Sequence, residues 1–186
     1  MNLPALIMVG MLGYDPRLWE PFTFYSAYTT LTLLVLVLAL NPLQSLVPTS
    51  IFIKKVNRYR RQIGVAVFLY AFVHVLCFYI KRGSFTEFMQ YMLHPAIIPG
   101  LFAFIILIVL AITSNNMSVK KLGSLRWKKL HKFVYVAEWL VVIHMLLMFD
   151  YLWAAVFFIP LMTLQYMRRR KRKKRKVKKN QQSLDS

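Results

Sequence analysis

Seven residues of this chain have the chemistry to form a site: His74, His94, His131, His144, Glu138, Arg60 and Arg61. Most of them lie within or beside long apolar runs. A neutral imidazole is a ligand for haem iron and transition metals, and a histidine inside an apolar span marks a site by default. Taken singly, each could equally be a hydrogen bond between two helices. Their depths separate these readings. His74 lies thirteen residues beyond Arg61, and His144 twelve beyond Lys132. At the helical rise these are about 20 and 18 Å above one boundary. Two helices rising from the same side thus bring two imidazoles to one height. That arrangement suits axial ligation of a planar haem between them. Ala71, Gly64 and Ala137, on the same helices, leave room for a macrocycle, although small residues also serve ordinary tight packing.

His131 precedes His144 by thirteen residues, so it sits about 20 Å lower. On an ideal helix the two rings face different ways. Both can serve cofactors only if two haems are offset or the helix departs from ideal geometry. At the depth of His131 the other helix offers Arg60 and Arg61. A guanidinium pairs with a haem propionate rather than replacing an imidazole. The lower site is therefore open to one haem ligand, a propionate contact or a quinone. Glu138 falls between His131 and His144, where a lone carboxylate is costly unless protonated or turned to a polar cavity. It is a candidate proton or quinone site. His94 precedes Pro95 at the mouth of a span and reads as an interfacial residue, able to touch a propionate or a partner.

The elements that hold these residues follow from composition. The 186 residues are 58% hydrophobic, with a mean hydropathy of +0.50, which is too apolar for a soluble domain. Five runs are long enough to cross a bilayer: 24–40, 63–80, 97–113, 133–149 and 151–167. None shows the alternation of a barrel strand. The fold expected is all-α, an integral membrane bundle of five spanning helices plus a short N-terminal apolar stub. Residues 1–22 form the stub and an outer segment, 23–167 the membrane domain and 168–186 a basic tail. The stub "LPALIMVGMLG" is too short to span. It suggests a re-entrant segment, the remnant of a lost first helix or a misassigned start, and it lacks the basic region that opens a signal peptide. The single Cys77 excludes an internal disulfide and reads as a buried apolar residue.

The net charge of +19 is concentrated. Lys54 to Arg61 join runs one and two, Lys120 to Lys132 join runs three and four, and "RRRKRKKRKVKK" follows run five. The alternate segments hold only Arg17, Lys81 and Arg82, against Asp15, Glu20, Glu87 and Asp150. Basic loops stay in the cytoplasm, so the C-terminus is expected inside and the N-terminus outside. A basic run directly after a span anchors to anionic lipid rather than to nucleic acid. The closing "NQQSLDS" reads as disordered.

The stretches "RRQIGVAVFLYAFVHVLCFY" and "AITSNNMSVKKLGSLRWKKLHKFVYVAEWLVVIH", with "LGYDP" and "NPLQSL" elsewhere, resemble the ferric-reductase-like transmembrane domain. More narrowly, they are similar to the haem-binding membrane subunit of the bacterial periplasmic methionine-sulfoxide reductase system, over roughly residues 12–150. The resemblance implies a b-type haem carrier in the inner membrane, with haem histidines at His74, His131 and His144. It implies electrons drawn from the quinone pool or a cytoplasmic flavin such as FMN and delivered to a periplasmic molybdopterin reductase. The chain departs from that pattern in its short first segment, in an extra residue within "KLGSLRWKKLH", in His94 where an arginine is usual, and in Glu138 where an aliphatic residue is usual. There is no G-x-G-x-x-G and no soluble segment of domain size, so the chain is not a self-sufficient reductase. The rival readings are a cofactor-free structural or assembly protein with a lipid-binding tail, and a small proton-coupled transporter using Glu138. The latter is disfavoured by the lack of internal repeats.

Overall fold

A backbone surrounded by hydrocarbon must satisfy its own hydrogen bonds, and helices do so within each segment. The computed structural model describes residues 3–182, which are helical with short connections and contain no strand. A first helix, α1 (Leu3–Tyr14), leads through a 3₁₀ turn (Pro16–Leu18) into α2 (Trp19–Leu46). There follow α3 (Ile51–Arg58), α4 (Arg60–Arg82), α5 (Phe85–Met92), α6 (Ile98–Ile112), α7 (Asn116–Leu122) and α8 (Ser124–Leu130). A 3₁₀ turn (His131–Phe133) joins α8 to α9 (Val134–Leu147), and α10 (Tyr151–Gln182) completes the described chain.

Local chemistry sets these boundaries. Ser50, Ser84 and Asn115 each accept a backbone N–H with their side chain and so cap α3, α5 and α7. Gly83 ends α4 in the left-handed conformation, with φ of 72°, which glycine adopts without a Cβ clash.

By length and composition, α2, α4 and the stretch Ser124–Leu147 can each cross a membrane. α6 and α7 together make a fourth candidate, bent by 92°. The fifth expected run is the first part of α10, which continues without a break into the basic tail. Lysine and arginine are good helix formers, so nothing in their backbone chemistry stops the helix where the apolar run ends. The helix extends to Gln182, so Asn180–Gln182 are helical where the sequence suggested no regular structure. The rest of that closing stretch, 183–186, lies outside the described residues.

Helix α2 packs on α4, α4 on α6, α6 on α9, α9 on α10, and α10 back on α2. In this closed ring α4 and α9 are not neighbours. Leu34 and Leu38 of α2, Val67 of α4, Leu107 of α6 and Leu161 of α10 form the shared core. The N-terminal apolar segment is a docked helix. Ala5 and Leu12, both under 5% exposed, pack with Tyr70, Val73 and the buried Cys77.

The basic segments converge on one end of the bundle. Lys171 Nζ donates to the Ser45 and Leu46 carbonyls at 2.9 and 3.2 Å. Asn57 donates to Gln44, and Arg61 to Asn116 at 2.6 Å. At the other end Arg17 donates to Asp15 at 3.0 Å, and this holds the Asp15 carboxyl below the usual carboxylate range.

Candidate functional site

His74 projects from α4 and His144 from α9. His74 Nδ1 lies 3.2 Å from the Thr23 carbonyl of α2. His144 Nδ1 lies 2.7 Å from the Ala96 carbonyl, just before α6. A carbonyl oxygen can only accept, so in both rings Nδ1 carries the hydrogen. The lone pair is then on Nε2 in both. This is how histidine is set for metal ligation, with the second nitrogen anchored to a backbone carbonyl. The two helices that carry them both pack on α6.

Gly100 on α6 lies flat against His144. A Cβ there would come within 3.1 Å of Nδ1 and 3.2 Å of Cγ and Cε1. Only glycine lets α6 approach the ring so closely. Ala71 and Ala137 are buried on the same two helices, with Ala137 wholly enclosed. Each of the two imidazoles thus has one nitrogen anchored to a carbonyl of another segment and the other nitrogen open to a ligand.

His131 is built differently. It opens the 3₁₀ turn between α8 and α9, so the helix does depart from ideal geometry between the two histidines. Three residues at the tighter 3₁₀ winding reduce the angular offset of His131 and His144 from about 140° to about 80°. The His131 Nε2 lies 3.3 Å from Thr113 Oγ1. The Thr113 hydroxyl hydrogen already goes to the Val109 carbonyl at 2.7 Å, so its oxygen accepts from His131 Nε2–H. The tautomer is thus the opposite of that at His74 and His144. The ring also stacks on Trp127, with centroids 4.0 Å apart, and Trp127 Nε1 donates to the Thr113 carbonyl at 2.9 Å. The Arg61 guanidinium also lies over the indole, 5.6 Å from its centroid. Arg60 is partly buried beside Tyr135, with Arg168 in electrostatic range. The structure therefore gathers His131, Arg60 and Arg61 at the basic end, apart from the His74–His144 pair.

Glu138 is 2% exposed and faces α10, where Gln165 Nε2 donates to both carboxylate oxygens at 2.8 and 3.1 Å. His94 is exposed, and its Nδ1 accepts the Ala96 N–H at 3.3 Å. That residue's carbonyl in turn anchors His144, so His94 sits one peptide away from the pair.

Sequence reasoning did not single out Gly100, Thr113, Trp127 or Gln165. The "PG" at the start of α6 is the local signal that could have found Gly100. Trp127 lies within the "KLGSLRWKKLH" stretch, four residues before the His131 it stacks on, whereas nothing local to Thr113 or Gln165 marks them, since their partners His131 and Glu138 lie elsewhere in the chain.

These features define an all-helical membrane protein. The chain belongs to the ferric reductase like transmembrane component family, which it matches over residues 24–143, a stretch containing His74 and His131 and ending one residue before His144. It is 36% identical over 135 residues to the magnetosome protein MamZ of Magnetospirillum gryphiswaldense, covering 68% of this chain and 20% of that protein. It is 33% identical over 134 residues to the protein-methionine-sulfoxide reductase heme-binding subunit MsrQ of Brucella ovis, covering 69% of this chain and 56% of that protein. The chain thus spans about a fifth of the magnetosome relative and somewhat over half of the other. No solved structure matches it.

Proposed function

We propose that this protein is a haem-carrying electron-transfer subunit of the bacterial inner membrane, with His74 and His144 as the axial ligands of one b-type haem. The observation that supports this most directly is the shared anchoring of the two rings. Each commits Nδ1–H to a carbonyl of another segment and keeps Nε2 for iron. The haem, when bound, supplies a one-electron carrier. The protein supplies orientation: the Thr23 and Ala96 carbonyls fix the two ring planes, and Gly100 holds α6 against the His144 ring. The heme-binding relative makes the same cofactor the natural expectation.

The basic end is where electrons arrive. Arg60, Arg61 and His131 form a cationic, aromatic-lined cluster suited to a haem propionate, a second haem, a quinol head or a reduced flavin. Glu138, paired with Gln165, is a candidate proton site along that route, and His94 a contact on the opposite face. The likeness to the methionine-sulfoxide reductase subunit makes a methionine-sulfoxide reductase the candidate acceptor, and the family resemblance makes it a periplasmic molybdopterin enzyme. The disposition that fits is five crossings, with α10 as the last, the N-terminus outside and the basic end in the cytoplasm.

A reduced-minus-oxidised spectrum of the purified protein, with pyridine-haemochrome quantitation, tests the reading. A b-type signal lost in His74→Ala and His144→Ala is expected. A wild-type protein purified without haem from haem-replete cells would refute it and favour the cofactor-free reading.

A further inference from the structure

The seam between the end of α2 and α10 contains a groove of about 340 Å³, lined by Leu46, Met167, Arg170, Lys171 and Lys174. The four α10 residues recur at helical spacing and so share one face. Lys171 is already committed. Its ammonium donates to the Ser45 and Leu46 carbonyls, which α2 leaves without intrahelical partners. It thereby ties α10 to α2 and holds the groove's shape. Arg170 and Lys174 are exposed. Among the described residues, no carboxylate lines the groove. It lies where α10 passes from its apolar part into the basic run, so it has an apolar floor, Leu46 and Met167, below a cationic rim.

We propose that this groove binds one anionic phospholipid of the leaflet on the basic side, with the headgroup phosphate between Arg170 and Lys174 and the upper acyl chain on Leu46 and Met167. A free phosphate would satisfy the cations and leave the floor unused. Diffuse attraction of the whole tail to a charged membrane would not distinguish the groove's cations from the others on α10. The proposal does not depend on the haem; it rests on the bundle lying in a membrane.

The test uses the full-length protein in phosphatidylcholine nanodiscs titrated with phosphatidylglycerol, with retained lipid counted by native mass spectrometry. One phosphatidylglycerol per chain is expected to persist. The double variant Arg170→Gln with Lys174→Gln should weaken it about thirtyfold, since two basic groups at an anionic headgroup account for about that factor. Arg172→Gln with Arg175→Gln removes the same charge from outside the groove and should leave binding within about threefold, because solvent and salt screen charges that do not touch the headgroup. Equal losses in the two double variants would overturn the proposal in favour of a diffuse basic tail. Displacement of the lipid by millimolar inorganic phosphate would overturn it in favour of a simple anion site. Circular dichroism of both variants establishes that the helices persist.

Discussion

Replacing Gly100 with alanine puts a methyl group against the ring proposed to ligate iron. The added Cβ would lie 3.1–3.2 Å from three ring atoms of His144, inside the about 3.5–4.0 Å of comfortable contact. The ring cannot simply swing away, because Nδ1 is held 2.7 Å from the Ala96 carbonyl. Overpacking of this kind costs about 1–3 kcal/mol. Against it stands the advantage of alanine over glycine in a helix, about 1 kcal/mol. Gly10 on α1 is the internal control, since a Cβ there meets nothing within 4 Å and should yield only the gain. Gly100→Ala should therefore be less stable than Gly10→Ala by about 1–3 kcal/mol, roughly 2–12 °C in melting midpoint for a chain of this size. Thermal haem release, followed by the Soret band, reads that difference. Low-temperature EPR reads the ring itself, because turning one axial imidazole plane alters the low-spin signal. Equal midpoints for the two variants, with a wild-type low-spin spectrum in Gly100→Ala, would refute both the close approach of α6 and the role of His144.

Three further outcomes are expected. His74→Ala and His144→Ala should each abolish the low-spin haem, while His131→Ala should spare it and perturb only a separate centre or the donor reaction at the basic end; loss of all haem in His131→Ala alone would reverse the assignment. Glu138→Gln should leave haem content intact and slow proton-coupled turnover, whereas Glu138→Leu, which strands Gln165, should cost about 1–3 kcal/mol of stability. Unchanged turnover in Glu138→Gln across a pH series would make Glu138 a packing residue. A reporter fused after Ser186 should read cytoplasmic and one inserted near Thr86 periplasmic, and the reverse pattern would place the His74–His144 pair near the cytoplasm.

The sequence by itself determined the helical class and picked out the candidate histidines. Apolar runs, caps and charge blocks are local properties, read without any tertiary information. It also located the converging basic segments, because loop charge is read directly from composition. The span count was less legible. Run 97–113 became a short helix followed by a sharp bend at an Asn115 cap, and run 151–167 merged with the tail. What only the tertiary structure decided is which ring nitrogen each histidine leaves free. That depends on acceptors far away in the chain: Thr23 for His74, Ala96 for His144 and Thr113 for His131. The same holds for Gln165, which meets Glu138 only because α10 returns beside α9. A hydrogen bond between helices fixes a tautomer through the geometry of two backbones brought together by packing, and no spacing within one segment encodes that meeting.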